Sequence, residues 1–267
     1  MKKWTLSCLS ALLIACGTNV PAKIDRQALV ERNSPKITAF NELSSLSVGN
    51  GNFAYTVDAT GLQTFPELYS EGVPLGTQSQ WGWHSFPNPE KFEPEEALKN
   101  YNFRGHEEPY AVQFNEPGRQ QDAADYYRVN PHRLHLGYVG LELTAPTGEK
   151  IEAEEIQNIN QTLDLWNGTV ISRYMIGGDS VLTKSSVHPD YDQVSVELNS
   201  ALIKKGGMKV NFRFPYPTGI HADDATDWSA PEKHTTEVLQ QDDHSFVLKR
   251  TLDTTVYYVS VTHEGEA

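Results

Sequence analysis

The residues best equipped for chemistry lie in one short stretch, Gln78-Ser79-Gln80-Trp81-Gly82-Trp83-His84-Ser85-Phe86. Aromatic faces stack on the apolar C–H faces of sugars. Indole N–H, imidazole and amide groups donate to or accept from sugar hydroxyls. Trp81, Trp83, His84, Phe86 and Gln80 are therefore candidate carbohydrate contacts, with Gln78, Asn88 and Asn115 as further polar partners. Trp81 and Trp83 stand two apart, so an extended loop would project both rings to one side and His84 to the other. The same rings could equally cover the edge of a β-sandwich as core. Trp228, in a second aromatic and acidic loop, joins the carbohydrate candidates.

Other constellations are weaker. His132-Arg133-Leu134-His135 has a metal-like spacing, but residues three apart on a strand face opposite ways and do not readily share an ion. His221, Asp223, Asp224 and Asp227 could offer oxygen ligands to a hard cation, yet the EF-hand spacing and its glycine are absent. No metal and no cofactor is expected. Glycoside cleavage needs two carboxyl groups at a set separation, one of raised pKa. Glu67, Glu71, Glu107, Glu108, Asp122 and Asp125 supply acids in abundance, but no spacing among them selects a pair. There is no Gly-x-Ser-x-Gly elbow and no phosphate-cradling glycine loop.

The elements that would position these residues are strands. Phe53, Tyr55 and Val57 alternate with Ala54, Thr56 and Asp58, the period of a half-buried strand. Alternation returns at Leu134, Leu136 and Tyr138, and again from 159 to 165. Asn167-Gly168 then marks a hairpin. Further strands are expected near 169–176, 181–187, 194–198, 208–214, 235–240, 246–251 and 255–261, separated by Gly and Pro turns. Between 61 and 125 the periodicity is poor and aromatics are dense, which predicts packed excursions rather than disorder. The expected fold is all-β, a large antiparallel sandwich with long aromatic-rich loops, preceded at most by a short helix near 27–31.

The chain opens as an export signal. Lys2 and Lys3 precede an apolar run that ends Leu13-Ile14-Ala15-Cys16, too short to span a bilayer. The ending resembles the lipobox of bacterial lipoproteins, in which cleavage precedes a cysteine that is then acylated. Each buried CH₂ contributes about 0.8 kcal/mol, so more than one chain anchors stably. This implies a signal peptide over 1–16, a lipidated Cys16, a tether over 17–40 and a body over 41–267. The protein would sit lipid-anchored in the bacterial cell envelope, on the outer membrane or the periplasmic face. The net charge is −13, and loss of Lys2 and Lys3 makes it more negative. That argues against nucleic acid as a partner. Cys8 lies in the signal, so no thiol remains for a disulfide, a zinc cluster or a nucleophile.

Two segments resemble a known family. Ser44-Ser45-Leu46-Ser47-Val48-Gly49-Asn50-Gly51-Asn52-Phe53 is similar to the opening of the N-terminal domain of maltose and kojibiose phosphorylases, glycoside hydrolase family 65. Leu163-Asp164-Leu165-Trp166-Asn167-Gly168 and the later Val181 to Pro189, closing on His188-Pro189, resemble the hairpin and strand further along that domain. The resemblance implies a β-super-sandwich that packs beside an (α/α)₆ barrel, the six-hairpin fold, with the catalytic acid in the barrel. No helical hairpins are legible here, so the resemblance places no catalytic acid on any residue of this chain. Thr77 to Phe86 is not part of the phosphorylase pattern and suggests a divergent branch of six-hairpin hydrolases, leaving hydrolysis and phosphorolysis both open. Three readings follow. One is an N-terminal domain, inactive alone, that frames an oligosaccharide or glycoside site and docks a catalytic barrel. The second is a free-standing carbohydrate-binding lipoprotein. The third is an enzyme complete in itself.

Overall fold

The computed structural model describes residues 23–265; the signal peptide and Cys16 lie outside the described residues. The fold is all-β and antiparallel. A five-stranded sheet runs in the order Lys36–Ile37, Ile156–Asp164, Thr169–Ile176, Asp179–Val187, Val194–Ser200. Its central hairpins are set by local sequence: Gly177-Gly178, with φ of 54° and 91°, makes the tight turn between paired Ile176 and Asp179. The first strand means that the sheet starts at Lys36, ahead of the boundary expected at 41, because Lys36 and Ile37 pair with Thr162 and Gln161.

A second layer covers that sheet. It combines the strands Leu46–Gly49, Phe53–Val57 and Gly76–Ser79 with a ladder of Tyr138–Leu143 and Met208–Arg213. Leu46, Val48, Phe53, Tyr55 and Val57 turn inward against Val170, Tyr174, Ile176 and Val181, with Leu141, Leu143 and Met208 completing one core. The polar neighbours turn outward, as the period-2 pattern requires. A third sheet, His234–Gln241, Ser245–Leu252 and Thr255–Thr262, has its own small core of Leu134, Tyr216, Ala230, Leu252 and Tyr257. Among the described residues no helix is long and apolar enough to cross a membrane.

Where the layers meet, the chain turns through 58–65. Asp58 is fully buried there, and its carboxylate accepts from Thr60 N and Oγ1 on one oxygen and from Thr64 N and Phe65 N on the other. Those bonds favour the charged form, but burial outweighs them and raises the group from 3.8 to about 6.

Several elements differ from expectation. The segment 61–125 holds a complete hairpin, Leu98–Phe103 with His106–Ala111, whose side chains are nearly all exposed. Without a buried face it has no alternation to read. It also holds part of a helix, Arg119–Val129, which buries only Ala123 and Ala124, too narrow a stripe to register as amphipathic. The expected strand through Leu134, Leu136 and Tyr138 is interrupted. His132–Arg133 pairs elsewhere, and Gly137, at φ 118°, bends the chain before Tyr138. The short helix near 27–31 is present as Arg26–Glu31, capped by Asp25.

Candidate functional site

The aromatic loop is built from a turn and a two-residue ladder. After Gly76–Ser79 the chain turns at 80–82 and forms Trp83–His84, paired antiparallel with His132–Arg133. The alternation of that strand sends Trp83 outward and His84 inward. Trp83 is 45% exposed, Trp81 49% and Trp228 47%.

The exposed rings are held firmly. Trp83 donates its indole N–H to the Gln80 carbonyl at 3.0 Å, and the Arg133 guanidinium lies 4.0 Å over its ring. Arg133 is fixed in turn by Nη1 donating to the Ser79 carbonyl at 3.0 Å. Trp81 donates to Asp192 Oδ2 at 2.6 Å, an oxygen it shares with the Ser79 hydroxyl, and its ring lies 6.1 Å from Tyr257. No ring contact joins Trp81 to Trp83 among the described residues. Gln80 is exposed, and its backbone N–H is tied to Asn52. Trp228 stacks on Tyr138 with centroids 6.1 Å apart, and Arg213 lies 5.5 Å from each ring.

His84 and Phe86 have a different setting. His84 is 0% exposed, with Phe86 and Tyr216 edge-on to its ring. Its Nδ1 meets Thr255 Oγ1 at 3.0 Å. Its Nε2 lies 3.2 Å from Asp253 Oδ2 but without hydrogen-bond alignment. Burial, and then His132, holds its pKa below the ordinary value against the pull of Asp253, so the pair is not a true ion pair at neutral pH. Tyr216 donates to the same Asp253 oxygen at 2.7 Å. This cluster fastens the aromatic loop to the turn at 253. His84, expected as a sugar contact, serves inside the protein, and Phe86 is half-buried beside it.

Arg133 also lines a cleft of ≈ 280 Å³ between residues 220–225 on one side and 74–78 and 132–135 on the other. Gln78, His132, His135, Asp223 and Asp224 share it. The two segments weighed separately in the sequence as metal sites thus face one another. Among the described residues no group of three or more His, Cys, Asp or Glu is placed to hold a metal ion. Instead the cleft offers hydrogen-bonding groups. His135 Nδ1 accepts from the Gly137 N–H at 3.0 Å, so its ring proton is on Nε2. That Nε2 is buried and has no partner, and neither has His132 Nε2. Burial pushes His135 from 6.5 down to about 4, and lowers His132 against the pull of Asp223, so both rings are neutral. Asp223 and Asp224 each spend Oδ1 on their own loop, accepting from Ala225 N and Thr226 N. What joins 132–135 to 223–224 is tertiary. Neither segment alone signals a cleft.

The six candidate acids, Glu67, Glu71, Glu107, Glu108, Asp122 and Asp125, are all exposed. Glu67 pairs with Arg213 at 3.1 Å, and Glu107 accepts from Asn102. The one buried carboxylate among the described residues, Asp58, is enclosed by its own loop and cannot reach a substrate.

In comparisons with known proteins, no family model matches this chain and no curated protein matches it.

Proposed function

We propose that this domain frames a glycan: it is the carbohydrate-handling β-sandwich of a lipid-anchored, glycoside hydrolase-like protein of the bacterial envelope. The observation that supports this best is Trp83. Its ring is half-exposed and locked by Gln80 and Arg133, and that Arg133 also lines the polar cleft. A pre-ordered aromatic loses little freedom when a sugar stacks on it. The two carboxylates that line the cleft, Asp223 and Asp224, are neighbours in one loop on the same wall, an arrangement that fits a framing role better than a pair flanking a scissile bond.

The exposed hairpin supports a docking role toward an (α/α)₆ catalytic barrel. Tyr101, Phe103 and Tyr110 cluster on one of its faces, with centroids 5.8 to 6.4 Å apart. A two-stranded ribbon is marginal by itself, and clustered exposed aromatics favour association. A free-standing carbohydrate-binding lipoprotein would use the same cleft, but it gives the hairpin nothing to do.

Calorimetric titration of the full chain with an oligosaccharide panel tests the reading. Trp83→Ala should weaken binding about tenfold, the size of one good aromatic contact, and leave the unfolding midpoint close to that of the parent. Failure of every oligosaccharide to bind, or an affinity indifferent to Trp83, would remove it.

A further inference from the structure

We infer that Arg250 and His234 form an acid-sensitive clamp on the edge strand His234–Gln241: protonation of His234 releases that strand while the other two strands of its sheet stay paired. The inference is independent of the glycan reading above.

The strand has little else to hold it. It lies at the edge of its sheet, every residue after His234 is exposed, and its ladder with Ser245–Leu252 slips between Val238 and Gln240. Apolar burial therefore contributes almost nothing, and hydrogen bonds carry the attachment. Arg250 is 1% exposed and stands opposite Thr236 in the ladder, where it grips the first three residues of the strand. Its Nη1 donates to the Thr235 carbonyl at 2.9 Å and to Thr236 Oγ1 at 2.7 Å, and its Nη2 donates to His234 Nδ1 at 2.9 Å. The guanidinium also lies 4.9 Å from the centre of the Phe214 ring, and among the described residues it pairs with no carboxylate. A buried cation held by neutral acceptors depends on each of them.

One of the three acceptors titrates. A guanidinium can only donate, so His234 is neutral and carries its proton on Nε2. Protonation at Nδ1 sets N–H against N–H and one cation against another, and the bond is lost. Tyr216 stacks on the imidazole with centroids 6.1 Å apart, its hydroxyl committed to Asp253, and Lys233 lies 5.1 Å from the Tyr216 ring. Asp227 and Glu232 favour the imidazolium. Burial and then Arg250 oppose it and prevail, holding His234 below the ordinary histidine value. Tyr257, on the third strand, faces Arg250 and is kept neutral by burial. The clamp is therefore fully closed above the ordinary histidine value. It weakens as pH falls below that value, because the released imidazole takes up a proton more readily than the clamped one.

The test is amide hydrogen exchange on the full chain, read as protection factors from about pH 8 to about pH 5, the range in which an imidazole titrates. Protection over 234–241 should fall about tenfold for each unit by which the closed clamp depresses the imidazole, while Thr255–Thr262 keeps its protection. His234→Asn places an amide oxygen where Nδ1 stood. It keeps the acceptor and does not titrate, so its edge strand should hold steady across the range. His234→Phe keeps a ring against Tyr216 but offers no acceptor, so its edge strand should be open even at the alkaline end. If one variant fails to fold, the other decides; if both fail, the parent decides by whether 234–241 opens ahead of 255–262. Edge protection that ignores pH in the parent would overturn the inference. So would an equal fall in His234→Asn, an edge in His234→Phe as protected as the parent's, or opening of all three strands together.

Discussion

Asn50 and His188 are 138 residues apart in the chain and joined by one side chain: the Asn50 amide donates to the His188 carbonyl at 3.0 Å. The same Nδ2 reaches the Tyr191 carbonyl at 3.1 Å, while Oδ1 accepts from Asn52 N and Phe53 N. The Gly-Asn-Gly turn and the His-Pro turn are thus two halves of one junction. The junction also places Asp192, which holds Trp81 and Ser79.

Asn50→Ala should destabilise the fold by about 2 kcal/mol, allowing for four partly exposed bonds of modest net value. Asn50→Asp keeps the acceptors and loses the donors, so it should fall between alanine and the parent in urea denaturation. Equal losses in the two variants would mean that the acceptor bonds contribute nothing.

His135 gives a pH signature. Its folded pKa is depressed from 6.5 to about 4, so the stability it contributes is fully present above 6.5 and is lost as pH falls through about 4. His135→Asn keeps an acceptor for Gly137 and does not titrate. Between pH 7 and 4 the parent should lose about 3 kcal/mol relative to this variant. Asp58 works the other way, stabilising as pH falls below about 6, but it is common to both proteins and cancels in the difference. Parallel stability curves would refute this.

Asp253 sits at φ 48° in the turn between two strands while its carboxylate serves Tyr216 and His84. Asp253→Gly relieves the backbone, but aspartate tolerates this region at small cost. The lost charge-assisted bond to Tyr216 is worth about 1.5–3 kcal/mol and should prevail. Thermal unfolding should show a net loss; a rise in midpoint would mean that backbone strain dominates.

Gly137 has no room for a side chain. A Cβ there would lie 2.6 Å from Phe214 Cδ1 and 3.2 Å from the Arg213 carbonyl, at a φ of 118°. Gly137→Ala combines overpacking with backbone strain and should cost about 3 kcal/mol or more. Urea denaturation checks this, and an unchanged midpoint would mean that Phe214 moves aside at no cost.

The proposed lipid anchor is tested at Cys16. Cys16→Ser should shift the protein from the membrane to the soluble fraction or block its processing; unchanged fractionation and processing would end the lipid-anchor proposal.

The sequence by itself determined the strands whose neighbours in space are neighbours in the chain. Phe53–Val57, Thr169–Ile176 and Asp179–Val187 alternate because one face is buried, and Asn167-Gly168 and Gly177-Gly178 turn the chain locally. It also marked Trp81, Trp83 and Trp228 as unusual, because large aromatics in polar loops stand out. Tertiary structure alone decided which of the loop aromatics face outward. The two-residue ladder with His132–Arg133 sends Trp83 to solvent and His84 inside. It also turned His132, His135, Asp223 and Asp224 from two unconvincing metal motifs into one cleft. The hairpin over 98–111 was illegible because it buries nothing, and periodicity records burial. Hydrogen-bond donors and acceptors have no such period, so the polarity of a site emerges only when distant loops are folded against each other.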